Sequence, residues 1–180
     1  MGAYDSRREV GGMISAEYKE LNRQLHADKM YGISGWHTRD VVRQIADWGR
    51  TPILDYGCGK STLSTALGPA YKVTNYDPCI PGLDTPPEPH PVVVCGDVME
   101  HVEPEFVDDV LREIRRLCTD VGFFVITFAP SSRNLPDGRN AHLSQHPIEW
   151  WLNKLVEAKF TVVDRKSPEK TVRTCWFVVQ

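Results

Sequence analysis

Apolar positions along the chain fall into two alternating rhythms. A three-to-four residue period predicts a helix over 16–27, with Ser15 as its cap, and a second over 38–48, ended by Arg50-Thr51-Pro52. Between them Tyr31-Gly32-Ile33-Ser34-Gly35 reads as a loop. Short apolar runs then predict strands over 52–56 and 71–76, separated by a short helix over 61–67 that Gly68-Pro69 ends. A strand over 91–95 precedes a periodic helix over 105–118, with Phe106, Val110, Leu111, Ile114 and Leu117 on one face. The near-continuous apolar run over 122–129 predicts a strand buried on both faces. A polar loop, PSSRNLPDGRNAHLSQ, leads to a helix over 147–159 and to two last strands, 160–165 and 173–179, close enough to form a hairpin.

This alternation of strand and helix predicts an α/β fold: a mostly parallel sheet flanked by crossover helices, with an antiparallel hairpin at its end. One stretch breaks the rhythm. PCIPGLDTPPEPHP, 78–91, carries five prolines from Pro81 to Pro91, which exclude a regular helix or a central strand there.

Composition narrows the function classes. Hydrophobic residues at 41% and charged residues at 25% describe an ordinary globular chain of 180 residues. No apolar run approaches the roughly 20 residues that span a bilayer, and the first residues lack the apolar stretch of a secretory signal. A formal charge of −3 argues against a long nucleic-acid substrate, whose phosphates favour a basic face. The clusters Arg7-Arg8 and Arg112, Arg115, Arg116 read as solvated helix faces. Five cysteines with no CxxC pair predict neither a disulfide framework nor a structural zinc site, and no metal centre is expected. A cytoplasmic location is the matching expectation.

The segment richest in chemistry is ILDYGCGKSTL, 53–63. Glycines directly after a strand let the backbone turn sharply and approach a ligand, and the following helix offers free N–H groups. Gly59-Lys60-Ser61 echoes the end of a P-loop, yet that motif needs glycine where Leu54 stands. A dinucleotide fingerprint starting at Gly57 needs glycine where Thr62 stands.

Strand, acid and G-x-G in this order resemble the first motif of class I S-adenosylmethionine-dependent methyltransferases. A second segment, VVVCGDVMEHVEPEF, resembles the strand of that family that ends in D-V-[LM]-E-H-[VI]. The resemblance implies a Rossmann-like fold and a single methyltransferase domain over 1–180, with a helical lid over 1–50 and a cofactor-binding core over 51–180. It implies S-adenosylmethionine as cofactor, S-adenosylhomocysteine as product and a small-molecule acceptor. Asp55, Tyr56, Gly57, Cys58 and Gly59 would form the cofactor loop. Asp77, in VTNYDP, would bind the ribose hydroxyls, with Pro78 beside it and Asp97 and Val98 along the cofactor. Residues 31–37 resemble the segment that closes over the cofactor in relatives.

Two departures stand out: Ser61 replaces a frequent third glycine, and the Pro-rich linker replaces the family's third strand and helix. Cys79, Ile80 and Leu83 are then the apolar candidates for contact with adenine. Methyl transfer needs a base only when the acceptor must lose a proton. Glu100, His101 and His142 are the candidate catalytic residues; each is equally readable as a brace, the first two of the following helix and His142 of its own loop. Arg133, Asp137, Arg139 and Asn140 supply polar groups for an acceptor, and one of Trp150 and Trp151 faces the sheet while the other is free to line a pocket. A non-catalytic module that binds the same cofactor remains open at this level, as does, on the echo of the P-loop, a phosphate-binding nucleotide enzyme.

Overall fold

The computed structural model describes residues 13–33, 38–166 and 174–180. Arg7 and Arg8, residues 34–37 of the aromatic loop and Arg173 lie outside them. In chain order the elements are α1 (Ala16–Leu25), α2 (Thr38–Trp48), β1 (Ile53–Tyr56), α3 (Thr62–Leu67), β2 (Val73–Tyr76), β3 (His90–Gly96), α4 (Val107–Leu117), β4 (Cys118–Thr127), α5 (Ile148–Glu157), β5 (Val162–Lys166) and β6 (Thr174–Val179). Two 3-10 turns, Met99–His101 and Pro104–Phe106, precede α4.

The strands form one six-stranded sheet in the order β2-β1-β3-β4-β6-β5. The first four are parallel, and β6 runs antiparallel to both of its neighbours, β4 and β5, the last two strands forming the predicted hairpin. Side chains alternate across it. Leu54, Tyr56, Val93 and Cys95 pack under α4 and α5, around the fully buried Trp151. Ile53, Val92, Val94, Phe123 and Val125 pack under α2 and α3. The result is three layers, helices on both faces of a sheet, the expected solution for strands apolar on both sides.

The structure moves several boundaries. The first helix stops at Leu25, where His26 caps it, rather than at Ala27. The helix predicted from Glu105 starts at Val107, because Pro104 opens a 3-10 turn, and Cys118 begins β4 four residues before the predicted strand. Asp108 and Asp109 in the first turn of α4 and Arg115 and Arg116 in its last complement the helix dipole. In the Pro-rich region residues 77–89 are turns and irregular chain, so β2 is an edge of the sheet and no strand stands where the family's third would. β3 lies on the far side of β1 from β2, which makes VVVC the fourth strand of the family pattern and not the third.

α1 belongs to the body of the protein through a buried carboxylate. Glu103 accepts from the Ser15 N–H (2.8 Å) and the Ser15 hydroxyl (2.7 Å), while the same Ser15 oxygen accepts from the N–H of Tyr18. Ser15 is therefore both helix cap and anchor point. Glu103→Ala is expected to lower the unfolding free energy by about 2–4 kcal/mol, since two charge-assisted bonds are lost; a urea titration followed by circular dichroism measures it.

Candidate functional site

Parallel strands bring their carboxyl ends to one edge, and the loops after β1, β2 and β3 meet there. The glycine loop wraps the end of β2: the N–H groups of Gly57 (2.7 Å) and Cys58 (3.0 Å) donate to the Tyr76 carbonyl. One residue on, the Asp77 carboxylate accepts from the N–H of Gly59 at 3.1 Å and from that of Cys79 at 2.9 Å. Gly57 has φ of +75°, and a Cβ on it would stand 2.4 Å from a Val98 methyl; Gly59 has φ of +51°, and its Cβ would stand 2.3 Å from the Gly32 carbonyl. Both positions need glycine for conformation and for close approach.

A cavity of about 410 Å³ opens over this edge. Gly57, Gly59, Asp77, Pro78, Asp97 and Val98 form its floor, and Glu100, His101 and His142 form one wall. α1 and the chain after it also line the cavity, through Tyr18, Asn22, His26 and Tyr31, and the Tyr31 ring meets that of His101 edge to face at 6.1 Å. Tyr18, Asn22 and His26 recur every four residues and so share one helix face. That stripe is the signal in the sequence for this part of the lining, and only Tyr31 figures among the expectations above. His26 brings Nε2 to 3.9 Å from the Asp77 carboxylate, and burial lowers its pKa although Asp77 opposes the shift. The chain after α1 is clamped onto the glycine loop: Lys60 N–H donates to the Gly32 carbonyl (2.8 Å) and Lys60 Nζ to the His26 carbonyl (2.5 Å). The lysine of the P-loop echo is thus directed at the backbone that follows α1.

His101 and His142 stand edge to face, with ring centroids 4.6 Å apart. Each is fixed by a backbone carbonyl at Nδ1, His101 by Ala141 (2.8 Å) and His142 by Ala129 (2.6 Å). A carbonyl only accepts, so Nδ1 carries the proton in both rings and Nε2 keeps the lone pair. Burial, and then His142, push the pKa of His101 down to about 3, so it is neutral at physiological pH. Glu100 is fully buried; its Oε1 accepts the Thr127 N–H at 3.0 Å and its Oε2 has no partner. Burial, and the neighbouring Asp97, raise its pKa well above the carboxylate range. Asp97 itself holds φ of +55°, a strained conformation at the mouth of the site.

The remaining candidates lie elsewhere. Asp55 sits on the opposite face of β1, beside Thr38, Val41 and Leu63, with one carboxylate oxygen buried and unpaired. Tyr56 packs in the core against Tyr76, and the buried Cys58 thiol points to the Gly59 carbonyl. Of the adenine candidates, Cys79 lines the cavity, and Ile80 and Leu83 are outside its lining. Arg133 lines the cavity and pairs with Asp28; Arg139 pairs with Asp137, and Asn140 braces its loop through Ser131. Trp151 faces the sheet as expected, but Trp150 stacks on His146 (3.8 Å) away from the cavity. Among the described residues no group of three or more His, Cys, Asp or Glu side chains is arranged to hold a metal ion, and no helix is long and apolar enough to cross a membrane.

Strand order, glycine loop and edge cavity together define a Rossmann-like fold of the class I methyltransferase type. The solved structures that resemble the chain fit this class. One is the 1,6-didemethyltoxoflavin-N1-methyltransferase of Burkholderia thailandensis, bound to 1,6-didemethyltoxoflavin and S-adenosylhomocysteine, with TM-score 0.67, 17% identity, and coverage of 91% of this chain and 88% of that one. Another is the magnesium protoporphyrin IX methyltransferase of Synechocystis PCC 6803, at TM-score 0.66 and 16% identity, covering 90% of this chain and 98% of that one. A third is the N-methyltransferase NodS of Bradyrhizobium japonicum WM9, at 0.59 and 16%, covering 90% and 96%. No protein-family model matches the sequence, and no curated protein does.

The position of Asp55 has a consequence for stability. Burial, and then Asp77, raise its pKa from 3.8 to about 7, so between these values the folded state holds a proton that the unfolded state has lost. Stability then falls as pH rises from about 4 to about 7, by up to about 4 kcal/mol from this group. Urea titrations of the protein and of Asp55→Asn at pH 5 and pH 8 test this: the variant is expected to lose most of the difference.

Proposed function

We propose that the protein is a methyltransferase that moves a methyl group from S-adenosylmethionine to a small-molecule acceptor. The observation that carries the proposal is the Asp77 carboxylate, buried at the end of β2, bound to the glycine loop and lining the cavity. An ionised carboxylate has about four acceptor sites, and two backbone N–H groups leave two for adjacent ribose hydroxyls. Three buried polar atoms in residues that line the same cavity lack partners: Asn22 Oδ1, His26 Nδ1 and Glu100 Oε2. Such atoms carry a desolvation penalty that a polar ligand relieves. The residues present therefore fit the cofactor, with Gly57, Gly59, Pro78, Asp97 and Val98 as its further contacts.

The cofactor supplies an electrophilic methyl group on a sulfonium, and S-adenosylhomocysteine is what remains. The protein's own part is positioning and proton management. His142, half-buried and lining the cavity with its Nδ1 held by Ala129, serves as the base when the acceptor carries a proton. His101 fixes the face against which His142 packs. Glu100, neutral through burial, acts as a hydrogen-bond donor at Oε2 while Oε1 holds the end of β4 in place. The sheet with its flanking helices, α2 among them, forms the catalytic core, and α1 with the chain after it closes over the cofactor. Five buried, unpaired cysteines fit a reducing compartment such as the cytoplasm. The toxoflavin and protoporphyrin enzymes named above support a small acceptor.

Isothermal titration tests the proposal. Micromolar binding of S-adenosylhomocysteine, without binding of ATP, is expected, and the reverse result overturns it. Asp77→Ala is expected to weaken that binding about 10- to 100-fold through loss of charged hydrogen bonds; unchanged affinity removes Asp77 from the ribose site.

A further inference from the structure

No strand stands beyond β2 in the sheet, and α1 pairs with the linker that follows it. Three contacts lay the helix across the gap between the Pro-rich linker and the turns before α4. Lys19 pairs with Asp84 of the linker at 3.6 Å, Ser15 is held by Glu103 beyond β3, and His26 reaches Asp77. The face directed into the cavity carries Tyr18, Asn22 and His26, across from Cys79 and Pro78. Asn22 is 9% exposed. Its amide nitrogen donates to the Tyr18 hydroxyl at 2.9 Å, which fixes the side chain, and its Oδ1 is buried without a partner. An amide oxygen in that state is an acceptor built for a donor that the protein itself does not supply. His26 marks the ribose end through Asp77, and four residues of helix separate it from Asn22 by about 6 Å. A purine attached to a ribose at Asp77, lying along α1, brings its exocyclic group to that depth.

We propose, resting on the cofactor assignment above, that Asn22 is the base-specificity residue of the nucleoside pocket. Its Oδ1 accepts from the exocyclic amine of adenine, and Tyr18 orients the amide. The pocket selects a 6-amino purine over a 6-oxo purine, because a carbonyl facing Oδ1 sets two acceptors against each other and leaves both unpaired.

The test compares S-adenosylhomocysteine with S-inosylhomocysteine, which differs by replacement of the amine with a carbonyl, by isothermal titration on the full chain. The unmodified protein is expected to bind the adenosyl compound at least about tenfold tighter, as one lost or opposed hydrogen bond implies. Asn22→Ala is expected to bring the two affinities within about threefold by weakening the adenosyl compound. Asn22→Ser, whose side chain is too short to reach, is expected to do the same and covers a folding failure of the first variant, which circular dichroism detects. Equal binding of both compounds by the unmodified protein overturns the inference, as does preference for the inosyl compound, which means that the amide presents its nitrogen. Discrimination that persists in both variants overturns it too. Binding of neither compound by the unmodified protein is a different failure, that of the cofactor assignment itself.

Discussion

A single carboxylate, Asp77, holds three parts of the molecule in register. It takes one N–H from the glycine loop and one from the start of the linker, and His26 of the lid rests against it. Because the Tyr76 carbonyl just before it takes two more N–H groups of the same loop, the ends of β1 and β2 are tied at three points within a few residues. Only bare backbone fits so close: Val98 fills the space beside Gly57, and Gly32 the space beside Gly59. The chain after α1 can lie so close to the glycine loop because two glycines, Gly32 and Gly59, meet without side chains between them.

The sheet and its flanking helices were legible because their signals are local and redundant. The spacing of Val110, Leu111, Ile114 and Leu117 admits little but a helix packed by one face, and the apolar run through Phe123 to Ile126 little but a buried strand. Boundaries were less legible where a cap or a proline competes with periodicity, as at Pro104 and His26. Within the site, Gly57, Gly59, Asp77, Asp97 and Val98 were readable because they follow strands whose carboxyl ends must share an edge. Tyr18, Asn22 and His26 were harder, since a polar stripe on a helix reads equally as a solvated face. What anchors that helix is Glu103, 88 residues from Ser15, and no local pattern announces so distant a partner. Asp55 illustrates the converse: the motif named it, and strand alternation then turned it to the other face of the sheet from the cavity.

A short linker after β2 leaves room for α1, which pairs with it through Lys19 and Asp84. Thirteen residues of turns, 77–89, let the helix descend onto the sheet edge, and the anchor at Glu103 with the clamp at Lys60 hold it at both ends. The same helix makes the cavity wall amphipathic in a way that a strand end is not, with a tyrosine, an amide and an imidazole presented one helical turn apart. The histidine pair that also lines the cavity is organised by a different principle, each ring locked in one tautomer by a carbonyl of the loop after β4.

The cysteines take on a practical meaning in this setting. All five are buried, and burial pushes the thiols of Cys58 and Cys79, the two nearest to Asp77, up to about 12. A thiol so far from its thiolate is inert to alkylating reagents and mild oxidants while the fold is closed. Cys58 sits within the glycine loop and Cys79 at the mouth of the linker, on opposite flanks of the carboxylate. Their labelling rate therefore clocks the local opening of this one corner.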